Sequence, residues 1–259
     1  MLRTALRNLS RNIAFALLVC GQVCGLNGEP IGNAPAHFIT SLERGEPRSI
    51  VIYGTSLSKG GGWVLQMKEA LDQRFPGLVT LTNMAKGGQN SKWGIGNLQE
   101  RVLSLEPDVV FLEFAINDAA VRSHMTLQES RANLELMIDR ISTALPACEI
   151  ILQVMSPVVG VPDDAPNARR NQEAYHQIYR DVASKRKLRL IDHTAAWQKL
   201  LKQEGEAGFR RYAQDGVHPN ADAYRQFVTP VILASIGLKP ERFGAAFFHP
   251  EWMLQRKTE

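Results

Sequence analysis

Cysteine is scarce in this chain, three in 259 residues, which argues against a disulfide scaffold. Cys20 and Cys24 lie in or beside an N-terminal leader, so cleavage after them leaves Cys148 alone, with no internal disulfide to form. Cys148 follows a Leu145-Pro146-Ala147 corner and precedes an apolar run, a setting that favours a buried, inert thiol over a catalytic one. The cysteine spacing offers no zinc site, and neither a metal nor a cofactor is expected. Also lacking are low-complexity runs, internal repeats, the phosphate-cradling G-x-x-x-x-G-K-[ST] pattern and the Gly-x-Ser-x-Gly nucleophile elbow.

A strong charge imbalance is missing too. The formal charge is +4, and Arg3, Arg7 and Arg11 contribute three of those charges before the first acidic residue, Glu29. Beyond that leader the chain is nearly neutral. The short cluster Lys185-Arg186-Lys187-Arg189 falls at an expected helix end, where cations complement the helix dipole. No basic stripe interleaved with aromatics occurs, so a nucleic-acid partner is not expected.

Residues 1–28 have the layout of a secretion signal: a basic stretch ending at Arg11, then the apolar segment Ile13 to Cys20. That segment is short of the roughly 20 apolar residues a membrane-spanning helix needs. Leu17-Leu18-Val19-Cys20 resembles a bacterial lipoprotein box, with bulky Val19 where a small residue is usual. The protein is therefore expected to be secreted or periplasmic, with membrane attachment only through lipidation of Cys20.

After the leader, apolar runs alternate with amphipathic stretches. Strands are expected at Ser49 to Tyr53, Leu78 to Leu81, Asp108 to Phe114, Glu149 to Met155 and Leu188 to Ile191. Between and after them, helical spacing appears from Trp63 to Arg74, Asn97 to Leu105, Leu127 to Leu145, Ala168 to Lys185, Thr194 to Gln203 and Ala221 to Ile236. Near-continuous apolar strands alternating with helices imply a parallel sheet covered on both faces. The expected fold is a three-layer α/β/α sandwich with a central parallel five-stranded sheet over residues 34–238. A tail, 239–259, carries Phe243, Phe247, Phe248 and Trp252 and is expected to pack on the domain surface.

Open parallel sheets bind ligands beyond the carboxyl ends of their strands. Gly54-Thr55-Ser56 follows the first strand, Gly87 and Gly88 follow the second, and Ala115-Ile116-Asn117-Asp118 follows the third. Ser56 fits either a nucleophile or a helix N-cap. Asp215-Gly216-Val217-His218 offers a histidine with a carboxylate three residues before it, the arrangement that activates a serine, although such a pair also occurs in surface turns. The neighbours Asp192 and His193 make a poorer dyad, because adjacent side chains at a strand end point apart. Asn117 fits an oxyanion donor or an ordinary turn asparagine, and Gly88 could add a backbone N–H.

In order and spacing, these segments together resemble the SGNH/GDSL hydrolases. Gly54-Thr55-Ser56-Leu57-Ser58 matches the first block, Asn83 to Gly88 the second, Ala115-Ile116-Asn117-Asp118 the third and Asp215-Gly216-Val217-His218 the last. The likeness spans roughly residues 49 to 228. Thr55 stands where the family signature has aspartate, and Ala115 where its third block has glycine. The resemblance implies a flavodoxin-like fold and a metal-free serine mechanism. In it Ser56 is the nucleophile, His218 the base and Asp215 its orienting acid, with Ser56, Gly88 and Asn117 forming the oxyanion hole.

The expected activity is hydrolysis of carboxylic esters, with short acyl groups such as acetyl favoured and a small-molecule or carbohydrate ester as substrate. Trp93, in the loop after the second strand, is a candidate for stacking on a sugar ring, with packing as its alternative role. Three other readings stay open at this level: an O-acetyltransferase, an inactive carbohydrate-binding protein, and, from the leader and the aromatic tail alone, a surface-attached structural or interaction protein.

Overall fold

A computed structural model describes residues 35–239. The leader, Cys20 and the aromatic tail lie outside the described residues.

In chain order the elements are α1 (His37–Glu43), β1 (Arg48–Gly54), α2 (Ser56–Lys59), α3 (Gly62–Arg74), β2 (Val79–Asn83) and α4 (Ser91–Arg101). Then come β3 (Val109–Glu113), α5 (Ala115–Asp118), α6 (Leu127–Ala144), β4 (Glu149–Val154), α7 (Gln172–Arg186), β5 (Arg189–Asp192) and α8 (Thr194–Tyr212). A last helical stretch comprises α9 (Ala221–Ala223), a π-helical segment (Tyr224–Val228) and α10 (Thr229–Ser235). All four strand pairings are parallel, in the order β2-β1-β3-β4-β5. This is the flavodoxin-like order, whose switch point lies between β1 and β3.

Strand alternation sends side chains into two cores. Ile50, Ile52, Val109, Phe111, Ile151 and Ile191 face one side, packed by α1, α3, α8 and the C-terminal helices through residues such as Trp63, Trp197 and Phe227. Val51, Tyr53, Val110, Leu112, Ile150 and Leu152 face the other, covered by α4, α6 and α7 through Leu98, Met137, Ile141 and Tyr179. Each fully buried large apolar side chain contributes about 1.5–3 kcal/mol, so both layers are needed to hold the sheet flat-on between helices.

Local signals account for several element ends. Thr126 and Glu129 form a reciprocal capping box at the start of α6. At α4, the Asn90 side chain accepts from the Trp93 N–H, so that helix begins six residues before the Asn97 start that its apolar spacing suggests. Gly94 and Gly96 had masked its first two turns, since glycine weakens a helical signature. Two leucines that follow the helical apolar spacing point outward all the same: Leu65 on α3 is 61% exposed and Leu136 on α6 45%.

Candidate active site

β1 delivers its C-terminal end to the switch point, and the chain turns at once into α2. Thr55 caps this turn by accepting from the Leu57 N–H at 3.3 Å. Ser56 is then the first residue of α2, with its Oγ 2.8 Å from Nε2 of His218. Ser58, the other hydroxyl in this segment, is fully buried and donates to Glu113 at 3.0 Å. It faces the interior and cannot substitute for Ser56.

His218 arrives from the far end of the chain, on the turn between α8 and α9. Its Nδ1 lies 2.6 Å from Oδ2 of Asp215. The other carboxylate oxygen of Asp215 accepts the backbone N–H groups of Val217 (2.9 Å) and His218 (2.7 Å), which locks the turn around its own acid. Partial burial pushes the Asp215 carboxyl up, but the hydrogen bonds from His218 and Val217 outweigh it and hold the group below its usual range. Gly216, between acid and base, has φ +77°, and a Cβ there would sit 2.0 Å from the Val159 carbonyl oxygen. Val159 in turn donates its N–H to the Gly216 carbonyl at 3.0 Å, so the loop after β4 braces the turn.

The three expected oxyanion donors lie on the segments that directly follow β1, β2 and β3. Ser56, opening α2, has an N–H with no preceding helical turn to bond. Gly88, at φ +75°, opens the turn after β2, and the turn is fastened to β1 by the Lys86 N–H on the Gly54 carbonyl at 2.9 Å. A Cβ on neighbouring Gly87 would lie 3.6 Å from that of Ser56, which shows how closely this turn approaches the hydroxyl. The Asn117 amide, in α5 just past β3, gives one hydrogen to the Gln89 carbonyl at 2.8 Å. Its oxygen accepts from Arg169 at 3.0 Å.

An open cleft of about 280 Å³ lies over this arrangement, lined by Ser56, Lys59, Gly60, Gly87, His218, Pro219 and Tyr224. Tyr224 enters from the π-helical segment, whose widened turn re-aims side chains, and its hydroxyl donates to the Leu57 carbonyl at 3.3 Å.

Trp93 does not reach the cleft. Its ring packs 5.7 Å from Tyr53 and 6.5 Å from Phe114, with the Arg101 guanidinium 5.2 Å away on it. Those neighbours support packing rather than sugar stacking. Asp192 and His193 also separate as expected: Asp192 binds Arg180 at 2.7 Å and Thr194 at 2.6 Å. His193 is fully enclosed, and burial drives its ring down to about 4 despite the nearby Asp192. Cys148 is half-buried and burial pushes its thiol up to about 12, which keeps it protonated and inert.

Two residues at the site are absent from the sequence reading. Glu113, the last residue of β3, is buried beneath α2 and accepts from the Thr55 N–H (3.0 Å), the Thr55 hydroxyl (2.8 Å) and the Ser58 hydroxyl (3.0 Å). Thr55, replacing the signature aspartate, thus caps α2 and anchors it to the sheet with one hydroxyl. A carboxylate inside the apolar run DVVFLEF was the available signal, because charges are rarely buried without a purpose. Arg169 falls inside the helix expected from Ala168, but α7 begins only at Gln172 and leaves Arg169 in the preceding loop, where helical spacing assigned it no role.

A model of the GDSL-like Lipase/Acylhydrolase family matches residues 49–226. The chain belongs to this family. Membership makes it a carboxylic ester hydrolase, and the matched span runs from the first residues of β1 into the π-helical segment, enclosing every residue of the site. No curated protein sequence matches the chain. Among solved structures, Axe2, an acetylxylan esterase from Geobacillus stearothermophilus, superposes with TM-score 0.64 at 20% identity, covering 75% of this chain and 96% of the other. LAE5, an α/β hydrolase from the metagenome of Lake Arreo, Spain, gives TM-score 0.63 at 22% identity over 74% and 96%. A GDSL-like protein of Parabacteroides merdae gives 0.65 at 18% over 75% and 97%. These similarities share the five-stranded α/β/α fold.

Proposed function

We propose that this esterase removes short acyl groups, acetyl foremost, from carbohydrate esters through an acyl-enzyme on Ser56, and that it acts outside the cytoplasm. The observation that carries the reading is the continuous chain from Ser56 Oγ to His218 (2.8 Å) to Asp215 (2.6 Å) at the mouth of the cleft. His218 takes the serine proton as Oγ attacks the ester carbonyl. The tetrahedral oxyanion is met by the Ser56 and Gly88 N–H groups and the Asn117 amide. Collapse expels the alcohol with the proton from His218, and a water activated by the same ring then releases the acid.

The size of the cleft, about 280 Å³, supports a small acyl group, since it lies at the low end of ligand-binding cavities. The acetylxylan esterase similarity supports a sugar as the alcohol partner. The leader of residues 1–28 supports export, which the mass of the mature protein's N-terminus tests. Among the described residues no helix is long and apolar enough to cross a membrane.

A fluorophosphonate probe, followed by a panel of aryl esters of increasing chain length and then acetylated xylo-oligosaccharides, tests the whole reading. One label on the Ser56 peptide and highest kcat/KM on acetyl esters are expected. Labelling elsewhere, or full esterase activity in Ser56→Ala, refutes the serine assignment. A preference for long acyl chains refutes the substrate class.

A further inference from the structure

Arg169 lies on the loop between β4 and α7, far in sequence from every residue of the catalytic blocks. Its guanidinium nevertheless reaches α5 and grips it twice. Nε donates to the Ile116 carbonyl at 3.0 Å and Nη2 to Oδ1 of Asn117 at 3.0 Å, while Nη1 donates back to the Asn167 carbonyl of its own loop. The loop is itself tied to the segment after α5, through the Val121 N–H on the Ala168 carbonyl (2.9 Å) and the Arg122 N–H on the Pro166 carbonyl (3.0 Å). The planar fork of arginine suits such a two-point grip, and lysine could not reproduce it.

The consequence falls on the Asn117 amide. With its oxygen held by a cation and one amide hydrogen held by Gln89, the group has a single orientation. A flip would set oxygen against the Gln89 carbonyl and NH₂ against the guanidinium. Because Gln89 directly follows Gly88, the same grip fixes the spacing between two of the three oxyanion donors. The guanidinium also polarises the amide, making its remaining N–H a stronger donor. Arg169 is partly buried and has no ion pair with a carboxylate among the described residues. Burial and neighbouring Arg122 pull it down to about 10, with Asp215 opposing, so it stays cationic at neutral pH. A partly desolvated cation with no carboxylate in direct contact is well suited to a site where negative charge appears in the transition state.

The geometry points to Arg169 as a positioning residue that orients and polarises the Asn117 amide of the oxyanion hole. This inference rests on the oxyanion role proposed for Asn117. The test is a double-mutant cycle of Asn117→Ala with Arg169→Met, reading kcat and KM on an acetyl ester and thermal stability for each variant. Asn117→Ala alone should lower kcat by about 10²–10³. Arg169→Met should lower kcat by about 10–100-fold, within that ceiling, with KM changed less than about threefold. In the Asn117→Ala background, Arg169→Met should have almost no further effect on kcat, which general loop support would not give. Arg169→Lys keeps the charge without the fork and should show a smaller kcat loss that also vanishes in that background, which covers the case in which Arg169→Met does not fold. Wild-type kcat in both Arg169 variants, or losses that multiply with Asn117→Ala, overturns the inference and leaves the oxyanion role standing. Wild-type kcat in Asn117→Ala overturns the oxyanion role and the inference with it.

Discussion

Glu113→Gln tests whether the buried carboxyl under the nucleophile turn is a neutral or a charged anchor. Burial pushes the Glu113 carboxyl from 4.5 up to about 7, against the pull of its hydrogen bonds from Thr55 and Ser58. A folded-state value above the unfolded one means that the folded protein holds the proton more tightly. The stabilisation from Glu113 is therefore complete below about pH 4.5 and is lost as pH rises through about 7. Between those limits the loss amounts to about 3 kcal/mol, at roughly 1.4 kcal/mol per pH unit of full proton difference. Glutamine stays neutral throughout, and its amide oxygen can still accept from the Thr55 N–H while the two hydroxyls rotate to meet its NH₂. Urea unfolding of both proteins at pH 5, 6, 7 and 8, followed by tryptophan fluorescence, reads the effect. The stability of Glu113→Gln relative to the wild type should rise by about 2.5 kcal/mol from pH 5 to 8, a midpoint shift on the order of 1 M urea. A difference that stays constant within about 0.5 kcal/mol over that range would show that the carboxyl titrates normally and that the reasoning is wrong.

Ser56→Ala and His218→Ala should each lower kcat by several orders of magnitude, and the double variant should be scarcely worse than either, because the two act as a unit; losses that multiply would separate them. Gly216→Ala forces a Cβ onto the Val159 carbonyl at a positive φ, so kcat should fall at least about tenfold as Asp215 and His218 shift, beyond a stability cost of about 1–3 kcal/mol measured by denaturation. Wild-type kcat there would show that the turn is not rigidly braced. Trp93→Ala should cost about 3–5 kcal/mol at most, as a packing residue, and leave KM for acetylated sugars unchanged; a large rise in KM with stability intact would restore the sugar-stacking role.

The parts of this molecule that were legible in sequence are those that repeat. Five runs of four to seven residues, mostly apolar, mark the strands because a sheet covered on both faces buries side chains of both faces. Ser56, Asn117, Asp215 and His218 stood out because each follows a strand or forms a compact turn with its partner. What stayed hidden is held by single, unrepeated contacts. Arg169 meets Asn117 only through folding, across a separation of 52 positions. Glu113 hid inside a strand whose apolar neighbours dominate the pattern. The start of α4 was concealed by two glycines, while the Asn90 cap that sets it looked like one more loop residue. Thr55, which stands where the signature has aspartate, uses one hydroxyl both to accept from Leu57 and to donate to Glu113.

The two atoms proposed to form the nucleophile, Ser56 Oγ and His218 Nε2, belong to residues 162 positions apart. A chain emerging from synthesis, or threading through a translocon, displays the serine long before the histidine exists beside it. The hydroxyl is then as unreactive as any other alcohol, because its base arrives only with the C-terminal third. Closing so long a loop is expected late in folding, since its entropy must be lost before the contact can repay it. On dilution from denaturant, recovery of esterase activity would therefore trail the recovery of helical signal and clock the docking of α8 to α10 onto the finished sheet.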